Sequence, residues 1–413
     1  HHSRRGVRGT GAIRRARAIG ARMRQQGCPM MACNRRGRIL CRGPASQGTE
    51  GLADTRDDQD GPDWFDEGAL VAVLTAQPLD RTLDYRAPEG GCAAGAFVEV
   101  PLGPRRVLGV VWGPGLGDFD AAKVRSVHKV LDVPPMTEEM RIFLGRAADY
   151  TLTPLPAMLR LATRAPGLGE GPAIRRVFAR GLSEPDRMTD ARARVLDVLD
   201  EQEDAVFTQK ELADLAGVSG GVVKGLAAQG VIEERAAPRD LPFPRLDPDL
   251  PGKALTDDQA AAAGTLAEGV AARSYATTML RGVTGSGKTE VYLEAVAACL
   301  RAGRQALVLL PEIALTAEFL DRVEQRFGAR PAEWHSGVTM TERRRVWRMI
   351  GQGNAQLVVG ARSALFLPYR DFGLIVVDEE HDTSYKQEDG VLYSARDMAV
   401  LRAAIAARRT AMS

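Results

Sequence analysis

The sequence holds five cysteines, Cys28, Cys33, Cys41, Cys92 and Cys299, and no C-x-x-C string. That spacing excludes a disulfide framework and a structural zinc site of the usual ligand arrangement. No run approaches 18 apolar residues, so no membrane span is expected, and a reducing cytoplasm is the simplest setting. Excess charge of one sign is also missing: 55 basic against 53 acidic side chains leave +2, which decides nothing about nucleic acid. Acid is absent from the first 49 residues, which carry twelve arginines and no steady apolar period. Residues 1–67 are therefore expected to be a disordered extension, basic and then acidic, with Met30 or Met31 nearer a natural start.

What remains is ordinary globular composition, 45% hydrophobic and 26% charged, in a chain of 413 residues too long for one core. Ala69–Leu74, Ala96–Val100 and Val107–Trp112 are short apolar runs parted by Pro/Gly turns such as Pro101-Leu-Gly-Pro104. They predict a β-rich domain over 68–165, closed by a helix from Thr137 to about Tyr150 with Glu138 and Glu139 in its first turn. Over 186–237 the pattern changes to helix, Gly turn, helix. Asp190–Asp200 reads helical, Thr208-Gln-Lys-Glu211 is a capping box, Ser219 caps a third helix, and Gly230–Glu234 begins a wing. That predicts a winged helix; Lys224 is the sole cation of its third helix, leaving DNA reader and structural spacer both open. Residues 238–254, with five prolines, read as a linker. From 255 to 413 strands and helices alternate as in a parallel α/β sheet, with Met279–Leu280, Ala306–Leu310, Gln356–Val359 and Leu374–Val377 as strands.

Gly282-Val283-Thr284-Gly285-Ser286-Gly287-Lys288-Thr289 is a phosphate-loop string, placed between an expected strand and an expected helix. Its glycines let backbone N–H groups turn inward around phosphate oxygens at the positive end of a helix. Lys288 is expected to reach the β- and γ-phosphates and Thr289 to hold Mg²⁺. Leu374–Val377 ends in Asp378-Glu379-Glu380-His381, an apolar strand presenting carboxylates at its carboxyl end. Asp378 is expected to hold the metal through water and Glu379 to orient or deprotonate the attacking water. Gln259, about two dozen residues ahead of the loop, is placed to read an adenine edge through its amide.

These two motifs are shared by superfamily 2 helicases, and further strings resemble the PriA family of replication-restart DNA helicases. They are Gly282–Tyr292, Leu310-Pro-Glu-Ile-Ala-Leu-Thr316, His335-Ser-Gly337, Val359-Gly-Ala-Arg362-Ser-Ala-Leu-Phe366, Asp378–Gln387 and Tyr393-Ser-Ala-Arg-Asp397. The resemblance covers about residues 69–410. It implies a multidomain α/β protein with a β-rich 3′-DNA-binding domain, a winged helix and one RecA-like P-loop NTPase lobe. It implies ATP and Mg²⁺ as cofactors, with His381 relaying nucleotide state toward the nucleic acid. DNA contact falls to Arg362, Lys386 and an aromatic-rich loop, in which Val391 and Ser394 stand where the family has Trp and His. Base stacking then rests on Tyr385 and Tyr393. Asp84, Gly103 and Arg125 fall where the family places a pocket for a 3′-hydroxyl end, with Leu83 in place of a usual Phe.

By the same resemblance the partners are forked and single-stranded DNA, single-strand-binding protein and other primosome proteins, with no membrane. The activity implied is ATP-dependent 3′-to-5′ unwinding at stalled or abandoned forks. The family's second motor lobe, zinc ligands and Q-x-x-G-R-x-G-R arginine string do not occur in this sequence. This polypeptide is therefore expected to bind nucleotide and DNA with little unwinding of its own. Another superfamily 2 translocase, such as a RecG-like remodeller, or a non-catalytic fork-binding fragment, is the alternative.

Overall fold

The computed structural model describes residues 63–412 apart from 80, 118–119, 121–122, 166, 169–173, 201–206, 239 and 284. The expected extension lies outside the described residues up to residue 62. Two compact units are present: the chain up to Leu168 joined with the chain from Phe243, and Gly169–Pro242.

In the larger unit, β1 (Trp64–Phe65), β2 (Leu70–Thr75), β3 (Leu83–Arg86), β4 (Cys92–Ala93), β5 (Phe97–Leu102), β6 (Arg105–Pro114) and β7 (Lys129–Val130) come first. Five of them form an antiparallel sheet in the order β3-β2-β6-β5-β7. Side chains alternate across such a sheet, and here both faces are apolar. Val71, Val73, Val98, Val100 and Val111 pack with Phe65 and Tyr85 on one side. Leu74, Phe97 and Val110 join a larger core on the other. The helix Glu138–Thr151 seals that core; the Thr137 hydroxyl accepts from the Met140 N–H at 3.2 Å, as the sequence pattern predicts.

The smaller unit pairs β8 (Ile174–Arg180) with β9 (Ile232–Pro238) along seven residues each. Between them lie helices Asp190–Asp200, Gln209–Leu215 and Gly220–Ala228. The Thr208–Glu211 capping box forms both of its bonds, at 3.3 and 2.7 Å. Two expectations change here. The Ser219 hydroxyl makes no cap bond, and the Gly220 carbonyl is held instead by the Gln209 amide at 2.9 Å. The expected wing strand zips onto β8, which precedes the helices, so the unit begins well ahead of residue 186. Strand β8 escapes a period-2 reading because Val177, Phe178 and Ala179 are all buried in succession.

The rest of the larger unit is a parallel sheet in the order β11-β12-β10-β13, from β10 (Gln305–Leu309), β11 (Ala332–Trp334), β12 (Leu357–Gly360) and β13 (Phe372–Val377). Helices Asp257–Ala271, Lys288–Arg301, Ala317–Phe327, Met340–Gln352 and Ala395–Met412 accompany it, with a small ribbon of β14 (Lys386–Gln387) and β15 (Tyr393–Ser394). Three of the four expected strands form. Met279–Leu280 does not: Met279 is 52% exposed and the segment has no strand partner. Two apolar residues bounded by Thr278 and Arg281 bury too little surface to hold a strand.

The expected linker over 238–254 is bound chain from Phe243 onward. Leu246 is buried and its N–H donates to the Gln356 Oε1 at 2.8 Å. Arg326 donates to the Leu250 and Pro248 carbonyls at 2.8 and 3.3 Å while pairing with Glu294 at 2.7 Å. Prolines lack an N–H, so the pinning is shared between the Leu246 and Asp247 N–H groups and the Arg326 side chain. The two sheets of the larger unit share one core: Phe97 meets Trp347 edge-on at 5.4 Å, and the Trp347 Nε1–H donates to the Ala162 carbonyl at 2.9 Å.

Candidate nucleotide and DNA sites

The phosphate loop runs straight into helix Lys288–Arg301, whose N-cap is Gly287. Gly285 and Gly287 both sit at φ 78°, a left-handed conformation in which a Cβ is strained. With no capping side chain, the first N–H groups of the helix point toward the loop's mouth, the arrangement that receives phosphate. The Lys288 ammonium lies 2.9 Å from the Gly282 carbonyl, so it spans the loop. Val283 is 79% exposed and offers a ligand only its backbone; Thr284 lies outside the described residues. Gln259 is tied at both ends of its amide. Its Oε1 accepts from the Thr256 N–H at 2.9 Å, and its Nε2 donates to the Ser286 carbonyl at 2.8 Å. The expected adenine reader is thus a clip between its own helix start and the phosphate loop.

Strand β13 runs parallel to β10 and delivers Asp378 to the carboxyl end of the sheet, where the Asp378 N–H donates to the Leu309 carbonyl at 3.0 Å. The Asp378 carboxylate accepts from the Tyr292 hydroxyl at 3.0 Å and from the Glu379 N–H at 2.9 Å. Tyr292 stands one helical turn past Thr289, and Thr289 acts on the same phenol. Burial, then the Asp378 charge, push that phenol far up, keeping it a neutral donor. Glu379 has φ 46°, a left-handed backbone that strains a residue bearing a Cβ. His381 is exposed, its Nε2 3.6 Å from a Glu379 carboxylate oxygen.

The expected stacking platforms are not platforms. Tyr385 is 3% exposed and Tyr393 7%. The Tyr385 hydroxyl lies 2.6 Å from the Asp378 carbonyl and 3.0 Å from that of Leu309, with one proton for the two. Tyr393 packs edge-on to Phe366 at 5.2 Å, and burial pushes its phenol up to about 12. Aromatic rings are scarce here, and these two are spent sealing the core beneath their loop. Arg362 is turned inward as well, donating to the Ser384 and Lys386 carbonyls at 2.6 and 3.0 Å, while the Lys386 side chain stays exposed.

In the antiparallel sheet the structure brings together two of the three expected end-pocket residues. Gly103, at φ 58° in the β5–β6 turn, accepts at its carbonyl from Arg125 at 3.1 Å. The Tyr85 hydroxyl donates to the neighbouring Pro101 carbonyl at 3.0 Å. Asp84 follows the alternation of β3 to the opposite face from Tyr85, where its carboxylate accepts from the Leu116 and Gly117 N–H groups at 3.0 and 2.7 Å. Sequence reasoning missed Arg105 and Arg106, both exposed, next to Gly103, and without a partner among the described residues. The signal was two adjacent arginines directly after a Gly-Pro turn.

Residues 256–412 match the model of the DEAD/DEAH box helicase family, and residues 71–164 match that of the 3′DNA-binding domain (3′BD) found in PriA. Among curated relatives, the replication restart protein PriA of Bacillus subtilis is 30% identical over 81% of this chain and 51% of its own length. That of Haemophilus influenzae is 32% identical over 81% of this chain and 47% of its own. The PriA of Rickettsia conorii is 52% identical over 30% of this chain and 19% of its own. The chain spans about half the length of the curated relatives that it matches along most of its own. With matches to the 3′ DNA-binding domain and to the DEAD/DEAH box helicase family and with these relatives, this chain belongs to the PriA family of replication restart proteins.

Proposed function

We propose that the larger unit binds Mg²⁺–ATP at the phosphate loop and a DNA 3′ end at the β5–β6 turn. It does so as part of an ATP-dependent 3′-to-5′ helicase that restarts abandoned replication forks. The observation that carries this is the Tyr292 bridge: one phenol joins Asp378 to the helix that carries Lys288 and Thr289, putting both halves of a nucleotide site at one end of one sheet. The donor set suits a hydrated Mg²⁺ and a triphosphate. After its two hydrogen bonds the Asp378 carboxylate keeps lone pairs to accept from a metal's waters. The loop supplies N–H groups and a cation. When bound, the metal neutralises phosphate charge. Lys288 exchanges the Gly282 carbonyl for phosphate oxygens, Glu379 orients a water, and His381 follows Glu379 toward the DNA side.

At the DNA end, Arg125 with Arg105 and Arg106 supplies phosphate contacts around a glycine turn that admits a chain terminus. Forked and single-stranded DNA, single-strand-binding protein and other primosome proteins in the cytoplasm are the partners this reading implies. Among the described residues no helix is long and apolar enough to cross a membrane. The test compares binding to a model fork ending in a 3′-hydroxyl with the same fork 3′-phosphorylated, and nucleotide binding by wild type with Lys288→Ala. Preference for the hydroxyl and loss of nucleotide affinity in the variant support the reading. Equal binding to both forks removes the end pocket, and an unchanged Lys288→Ala removes the ATP site.

A further inference from the structure

Arg402 is fully buried in the shared core, and its charge is met by Glu139 of the DNA-end domain. Its Nε donates to Glu139 Oε1 at 3.1 Å and its Nη2 to Oε2 at 3.4 Å, a two-pronged pair across 263 residues of sequence. Its Nη1 donates to the Leu365 carbonyl and, at 3.0 Å, to that of Leu367. The guanidinium lies 5.3, 5.1 and 4.8 Å from the ring centres of Phe143, Tyr369 and Phe372. Glu139 sits in the first turn of the helix that closes the DNA-end sheet, where an exposed acid is sufficient to favour the helix dipole. Its neighbour Glu138 is such an acid; Glu139 is turned inward.

What the pair holds is informative. Leu365 and Leu367 flank Phe366, in the 3₁₀ turn Arg362–Phe366. Phe366 touches Phe143 of the DNA-end helix at 5.5 Å and Tyr393 of the β14–β15 ribbon at 5.2 Å. At the start of the same turn, Arg362 grips the Ser384 and Lys386 carbonyls. Between those two residues, Tyr385 reaches the Asp378 carbonyl, and Asp378 is bonded to Tyr292 of the phosphate-loop helix. A series of contacts, buried at Arg402 and open to solvent at Arg362, therefore runs from Glu139 to the nucleotide motifs.

We infer that the Glu139–Arg402 pair is a positioning device that locks the DNA-end domain to the Arg362–Phe366 turn, so that a bound DNA 3′ end and a bound nucleotide influence one another through that turn. The inference rests on the proposed function for its two ligands. A salt bridge kept only for stability would be replaceable by apolar side chains with no loss. Here the two prongs and two carbonyl bonds fix direction as well as distance, and a guanidinium is the side chain that does this.

The experiment measures affinity of the chain for a fluorescent ADP analogue with Mg²⁺, with and without saturating 3′-hydroxyl fork, and reports the ratio. Typical coupling between linked sites is on the order of 5- to 150-fold. Wild type is expected to show a ratio in that range. Glu139→Leu/Arg402→Met, filled with apolar volume, is expected to stay folded, with a thermal transition lowered because the Leu365 carbonyl loses its donor, and to keep its separate affinities for fork and nucleotide while the ratio falls to unity. Arg402→Lys, which keeps the charge but cannot serve Glu139 and both carbonyls together, is expected to fall between. Wild-type coupling in the folded double variant overturns the inference, as does binding of both ligands by wild type with no coupling. Should the double variant not fold, undiminished coupling in Arg402→Lys overturns it. Failure of wild type to bind either ligand is a different result, which sinks the functional reading and the inference with it.

Discussion

Two tyrosines with the same chemistry have opposite expected responses to substitution. Tyr292 spends its hydroxyl on Asp378 and its ring on the helix packing around it. Tyr292→Phe removes one hydrogen bond to a charged group, about 1.5–3 kcal/mol in general, from the end of the sheet where Mg²⁺–nucleotide is placed. The expected outcome is weaker binding of a Mg²⁺–ADP analogue, read by fluorescence titration, with an unfolding midpoint lowered by no more than this one bond is worth. Tyr385 is the converse case. A base platform can be deleted with little effect on folding, whereas this ring is core. Tyr385→Ala is expected to cost about 3–5 kcal/mol, as large aromatic-to-alanine changes do, measured by urea denaturation. An unchanged midpoint would return Tyr385 to the surface role that the sequence suggested.

At the scale of elements, capping decides where helices begin, and one cap carries a pH signature. In the box at Thr208, the Glu211 carboxyl is held below its ordinary range, first by the Thr208 backbone N–H. A depressed folded pKa means that the carboxylate's contribution is complete above the unfolded value of about 4.3 and is lost as pH falls through the lower folded value. The Thr208 amide resonance is therefore expected to titrate with a midpoint below that of an ordinary glutamate, and Glu211→Gln to abolish the step. The chain from Phe243 to Leu250 offers a second check. Arg326→Ala removes a buried guanidinium from a Glu294 carboxylate that stays partly exposed, so its cost is expected to fall below the roughly 3–5 kcal/mol of a fully buried pair. It also frees the Leu250 and Pro248 carbonyls. Limited proteolysis is expected to open at 243–250 in the variant before elsewhere.

These elements also mark what could be read from sequence. Period, caps and Gly turns gave β2, β5, β6 and the helices after Thr137 and Thr208, because each is decided by neighbours within a few residues. The phosphate loop and Asp378 were legible for the same reason. Met279–Leu280, β8 and the bound stretch after Phe243 were misread or missed because their state depends on partners far along the chain: a sheet edge, β9, and Arg326. The inward turn of Tyr385, Tyr393 and Arg362 belongs to that class. Nothing local distinguishes a tyrosine that stacks on a base from one that closes a core.

For the whole molecule, the net charge of +2 conceals an uneven surface. Arg105 and Arg106 open β6 beside the β5–β6 turn, which Arg125 reaches from the segment after β6, while Lys129 on the sheet edge stands directly opposite Glu99. Each lysine or arginine that meets a DNA phosphate contributes about one unit to the logarithmic salt dependence of binding. Arg105→Ala/Arg106→Ala is expected to lower that slope by about two, with the 3′-hydroxyl preference retained. An unchanged slope would show that the turn does not touch the DNA backbone.

The larger unit is interrupted: it leaves at Leu168 and resumes at Phe243. During synthesis Glu139 emerges from the ribosome 263 residues before the Arg402 that neutralises it. At translation rates of about 5–20 residues per second this interval is roughly 13–50 s. Until the lobe is made, Glu139 lacks Arg402 and Phe143 lacks Phe366, so the nascent DNA-end domain displays part of an apolar helix face with one unpaired carboxylate. Apolar surface left open in this way is prone to aggregation until its cover is made.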